Sequence, residues 1–143
     1  MKERIHQIQE GIMIFLDTDI ISFYIKGIPE IYDKINEAFD NNDTLCTTLI
    51  NKYEIIKGFR WKENKSKEIH YTNFLNHLKV FPINDTVINF AANIYADLRR
   101  NGKIIGDLDI LIAAIVIANN GTLITNNTKH FGNIKQLKVV NWV

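Results

Sequence analysis

Two acidic doublets stand against apolar runs in this sequence. In "MIFLDTDIIS", residues 13–22, Asp17 and Asp19 follow Met13–Leu16, and in "IGDLDILIAA" Asp107 and Asp109 precede an almost wholly hydrophobic segment. A further carboxylate, Glu54, lies in "TTLINKYEIIKGF", four residues after Ile50 and so on nearly the same face of a helix. A carboxylate on a buried helix face is expensive unless it is paired, protonated or bound to a cation. Acids gathered without thiolates suit Mg²⁺ or Mn²⁺, and like charges held together raise one another's pKa. Each also has a plainer reading. Asp19 and Asp107 could cap the helices they precede, and Glu54 could pair with a lysine or arginine.

The elements that must position these acids are legible in the pattern. "MIFL", "TLCT", "KVFPI", "GTLIT" and "LKVV" read as short strands, and the longer segments between them carry helical spacing. Such alternation implies crossovers, hence a parallel sheet of four to five strands with helices on both faces, a three-layer α/β/α domain. In "TTLINKYEIIKGF" the apolar stripe is Leu49, Ile50, Tyr53 and Ile56, with Thr47 or Thr48 as cap and Gly58 as stop. "INDTVINFAANIYADLRRNG" is a second helix, opened by Asn84 or Asp85 and ending near Gly102, and the segment after Asp109 is apolar enough to be internal. In an open parallel sheet ligands bind beyond the carboxyl ends of the strands, which is where Asp17 falls. Right-handed crossovers can bring Glu54, Asp107 and Asp109 to the same edge.

The 143 residues fit one domain, and a single cysteine, Cys46, excludes an intrachain disulfide and a cysteine-built zinc site. Neither a signal peptide nor an uninterrupted membrane-spanning apolar run is visible, so the expectation is a soluble, cytoplasmic protein with no membrane partner. A net charge of +1 favours no partner class. Its distribution is more informative: Lys52, Lys57, Arg60, Lys62, Lys65 and Lys67 cluster around Tyr53, Phe59 and Trp61, and Arg99, Arg100 and Lys103 form a second group. Lys57, Arg60, Lys62, Arg99 and Arg100 are candidate phosphate contacts, against the alternative of a solvated helix face. His6, His70, His77 and His130 show no metal-ligand spacing.

Taken in order, the motifs resemble the PIN domain family of metal-dependent nucleases, and within it the small toxin ribonucleases of VapBC toxin-antitoxin modules. "FLDTDIIS" looks like the opening motif, "TTLINKYEIIKG" the second, and "IGDLDILIAAIVIANNGTLITNNTKHF" the third and fourth. The resemblance spans residues 13 to about 142, with residues 1–11 as an N-terminal extension and 12–143 as a PIN-like domain. It implies that Asp17, Glu54 and Asp109 bind Mg²⁺ or Mn²⁺, with Asp107 as a fourth acid or close neighbour that orients the attacking water or acts as its base. Thr18, Asp19, Thr48, Asn126 and Asn127 are supporting positions, and Thr47 and Asn51 also match places where the family carries Ser or Thr. The fourth motif departs from the family pattern, because Asn126 and Asn127 stand where an acid is common. The resemblance further implies an RNA substrate, a homodimer, and a cognate antitoxin offering an Arg to the acids.

Two rivals come from other classes. The Asp-x-Asp of "FLDTDIIS" with the later Gly-Asp is similar to haloacid-dehalogenase-like phosphatases, but Ile21 stands where that family wants Thr or Val and Glu54 is left without work. A non-catalytic protein-binding module would use the acids only as caps, and it would not need metal.

Overall fold

The computed structural model describes residues 11–143, so the expected extension, apart from Gly11, lies outside the described residues. Five strands form one all-parallel sheet: β1 (Met13–Leu16), β2 (Thr44–Thr48), β3 (Lys79–Phe81), β4 (Thr122–Ile124) and β5 (Lys138–Val140), in the spatial order β3-β2-β1-β4-β5. Helices α1 (Thr18–Ile25) and α2 (Pro29–Asp40) join β1 to β2, and α3 (Leu49–Trp61) and α4 (Lys65–Leu75) join β2 to β3. The connection from β3 to β4 holds α5 (Asp85–Arg100) and α6 (Asp107–Ala118), and α7 (Thr128–Phe131) precedes β5. This is the α/β/α arrangement that the alternating pattern predicts.

Strand alternation builds the layers. Ile14, Leu16, Leu45 and Ile124 point to one face, where they pack with Ile20, Ile21, Ile31, Ile35, Tyr71 and Leu75. Phe15, Cys46 and Leu123 point to the other and meet Val87, Ile94, Ile112, Ala113, Val116 and Phe131. α6 is buried along most of its length, as its apolar run requires. Cys46 is a packing residue: burial pushes its thiol up to about 11, which keeps the reactive thiolate scarce. Among the described residues no helix is long and apolar enough to cross a membrane.

The helix starts follow the capping rules. Thr48 and Asn84 each accept a backbone N–H three residues on, from Asn51 and Val87. Four expectations need correction. Asp17, not Asp19, caps α1, and Asp107 is the first residue of α6, whose cap is Gly106 with no side-chain bond. Helix α3 does not stop at Gly58 but runs on to Trp61, and its buried side is Ile50, Asn51 and Ile55, while Leu49 and Tyr53 are exposed. The buried polar contacts of Asn51 turn the helix away from the stripe that apolar spacing alone suggests.

Gly58 thus lies inside a helix, and a Cβ built there would meet nothing within 4 Å. Gly58→Ala is expected to stabilise the fold by about 0.5–1 kcal/mol, the ordinary cost of glycine in a helix interior. A urea midpoint that falls instead would show that the position needs glycine for another reason.

Candidate active site

Asp17 ends the central strand and begins α1, and only 9% of it is exposed. Its backbone N–H donates to the Ile124 carbonyl at 3.0 Å, continuing the β1–β4 ladder by one residue. Its carboxylate is held by three donors. Oδ1 accepts from the Thr18 N–H at 3.0 Å and from Asn51 Nδ2 at 2.9 Å, and Oδ2 accepts from the Thr125 hydroxyl at 2.7 Å. Asn51 is 1% exposed and is itself fixed, since its Oδ1 accepts the Thr48 hydroxyl at 2.7 Å and its Nδ2 also reaches Thr18 Oγ1 at 3.1 Å. Thr18 then donates its hydroxyl to Glu54 Oε1 at 3.0 Å. One hydrogen-bonded chain therefore joins the ends of β1, β2 and β4 to the face of α3.

Asp109, in the first turn of α6, completes the group through charge and through His130. His130 Nδ1 lies 3.2 Å from Asp109 Oδ2 and 3.2 Å from Asn127 Nδ2. A carboxylate only accepts and, in this orientation, the Asn127 amide nitrogen only donates, so this ring nitrogen serves one neighbour at a time. Burial raises the pKa of Glu54, and the negative charges of Asp17 and Asp109 add to the effect, against the Thr18 hydroxyl and the Lys57 ammonium. Burial likewise raises Asp109, and Asp17 adds to it, against the nearby His130. Asp19 is pushed up to about 6 by burial and by Asp17, although the Asn126 N–H donates to its Oδ2 at 3.0 Å. Asp17, Asp19, Glu54 and Asp109 are thus one electrostatic group.

The other expected residues fare differently. Asp107 is exposed, and its side chain makes no hydrogen bond or ion pair among the described residues. Asn126 contributes its backbone to Asp19 and its side-chain oxygen to Asn141, while Asn127 reaches His130 and Thr125. Arg60 is tied to Glu68 across the α3–α4 hairpin at 3.2 Å, Arg100 pairs with Asp97 at 3.7 Å, and Arg99 covers the Tyr95 ring. Among the described residues Glu54 has no basic partner within ion-pair reach, so none of them supplies the plain salt bridge. Sequence reasoning missed Thr125 and His130; their only signal is position, at the end of β4 and in the short helix just beyond it.

The donor set can be tested against a cation. Asp19 Oδ1 is buried without a hydrogen-bond partner among the described residues, and Glu54 Oε2 and Asp109 Oδ1 take no hydrogen bond from them. These are hard oxygen donors carrying excess negative charge, which fits Mg²⁺ or Mn²⁺. Among the described residues no three His, Cys, Asp or Glu side chains close into a metal cage. An open carboxylate group of this kind matches a cation that keeps several of its waters.

Two expectations follow for the metal-free protein. Thr125→Val leaves Asp17 Oδ2 and the Asn127 N–H without their partner and should cost about 1–3 kcal/mol in denaturant unfolding; an unchanged midpoint would mean that water replaces the hydroxyl. For Asp19 the folded pKa exceeds the unfolded one, so its contribution to stability is present below about 3.8 and is lost as pH rises through about 6. The Tm of Asp19→Asn, relative to wild type, should therefore climb over that interval and level off above it. A difference that stays flat or declines with pH would place Asp19 in a more solvated setting.

Comparison with known proteins agrees with this geometry. The model of the PIN domain family matches residues 14–137. Ribonuclease VapC2 of Rickettsia felis is 32% identical over 131 residues, covering 89% of this chain and 96% of its own. Ribonuclease VapC2 of Haemophilus influenzae is 32% identical over 130 residues, with 90% and 96% covered. Among solved structures, VapBC2 from Rickettsia felis bound to a DNA fragment from its promoter superposes with a TM-score of 0.84 at 29% identity, covering 92% of this chain and 100% of that one. The parallel five-stranded sheet, the carboxylates at its carboxyl edge and these likenesses agree, and the chain belongs to the PIN domain family.

Proposed function

We propose that this protein is a metal-dependent endoribonuclease, the toxin of a VapBC-type pair. The observation that carries the reading is the Asp17 node, a nearly buried carboxylate held by three donors and coupled in charge to Glu54 and Asp109 at the mouth of the sheet. Asp17, Glu54 and Asp109 would hold Mg²⁺ or Mn²⁺, with Asp19 close enough to add charge. A divalent cation there supplies a water of lowered pKa and offsets the charge that develops on the phosphate.

The protein's own groups do the positioning. Asn51 and Thr125 fix both oxygens of Asp17, Thr18 orients Glu54, and His130 steadies Asp109. Lys57 and Lys62, exposed on and just beyond α3, are placed to meet the phosphate backbone. Arg60 is held by Glu68 and is less available for that task. Asp107, exposed at the start of α6, is at most an outer neighbour.

The same reading includes a homodimer and an antitoxin whose segment offers an Arg to the carboxylates. An RNA substrate implies work in the cytoplasm. A haloacid-dehalogenase mechanism fits poorly, because it leaves Glu54, bonded to Thr18 and coupled in charge to Asp17 and Asp109, without a role.

The test is incubation with a pool of structured RNAs in Mg²⁺, Mn²⁺ or chelator, alongside Asp17→Asn. Cleavage should require metal and fall by at least about a hundredfold in the variant, while its circular dichroism and Tm remain those of a folded protein. Cleavage that survives chelator, or an Asp17→Asn enzyme as active as wild type, would sink the reading.

A further inference from the structure

Helix α3 carries more than Glu54. Tyr53, Lys57 and Trp61 recur every four residues along it, and all three are exposed, Tyr53 by 54% and Trp61 by 86%. Lys57 Nζ lies 4.9 Å from the centre of the Tyr53 ring. Trp61 is seven residues from Glu54, which at about 100° per residue places it within roughly 20° of the same helix face and about 10 Å further along. Lys57, between them, is close enough for its charge to be felt at Glu54. The row therefore leads to the carboxylates.

Trp61, at the end of α3, therefore offers its indole face to solvent. In sequence it is flanked by Lys57, Lys62, Lys65 and Lys67, all exposed, with Glu63 the one exposed acid among them, while Arg60 is paired with Glu68. A flat ring near ammonium groups that pair with no acid among the described residues complements a stacked base next to its phosphates. We propose that Tyr53, Lys57 and Trp61 form a platform for single-stranded RNA, with Trp61 stacking on an unpaired base a short way from the bond cut at the carboxylates. This rests on the endoribonuclease reading above and adds how the substrate is held.

The experiment uses full-length Asp17→Asn protein, which binds RNA without cutting it, and a short unstructured RNA carrying a terminal fluorophore. Adding Trp61→Ala should weaken binding roughly tenfold, and Trp61→Phe should restore most of it. RNA should also quench tryptophan emission, and the quench should vanish in Trp61→Phe, which retains only Trp142. In otherwise wild-type enzyme, Trp61→Ala should act mainly through a higher KM. Equal affinity of the Trp61→Ala and parent proteins for the RNA would overturn the platform, as would a variant whose only change is its sedimentation, the mark of a protein–protein contact. Metal-dependent cleavage with unchanged binding would remove the platform alone. Trp61-dependent binding without any cleavage would keep the platform and remove the nuclease.

Discussion

The structure depends on keeping one carboxylate nearly out of water at the end of its central strand. Asp17 is tolerable there because its oxygens are met by the N-terminus of α1, the Asn51 amide and the Thr125 hydroxyl. In a medium of low polarity each bond is stronger than in water, and each missing one would be dearer. That requirement constrains the topology. The donors come from residues 34 and 108 positions away, so β2 and β4 must flank β1 and their ends must come level with it.

The neighbouring acids illustrate a trade of stability for readiness. Glu54, Asp109 and Asp19 are each driven toward the neutral form by burial and by negative neighbours, so without a counter-charge the site works against the fold. The positive start of α6 and the His130 ring relieve part of this at Asp109. What remains is a standing attraction for a cation, stored in a framework that the two hydrophobic layers hold rigid.

How much could be read from the sequence depended on the range of the interaction. The strand alternation, the internal α6 and the caps at Thr48 and Asn84 are local, and the pattern displays them. The acids could be nominated because their types and spacing resemble a known family. The orientation of α3 could not be read, since it follows a buried amide rather than the apolar stripe, and so Tyr53 was expected in the core and lies outside. Thr125 and His130 act across the sheet on residues 108 and 21 positions away. Nothing in their own surroundings signals that reach. Arg60 likewise appears free until the α3–α4 hairpin delivers Glu68 to it.

The 108-residue reach from Asp17 to Thr125 also bears on how the molecule comes into being. A chain emerges from the ribosome amino end first, and its early segments can collapse before the later ones exist. Here β1, β2 and α3 can bring Asp17 and Glu54 together, but Asp109, Thr125 and His130 arrive only with the last third of the chain, and β4 must insert beside β1 to deliver two of them. The carboxylate group is therefore one of the last things synthesis completes, and a nascent or truncated chain lacking β4 leaves Asp17 without the Thr125 hydroxyl.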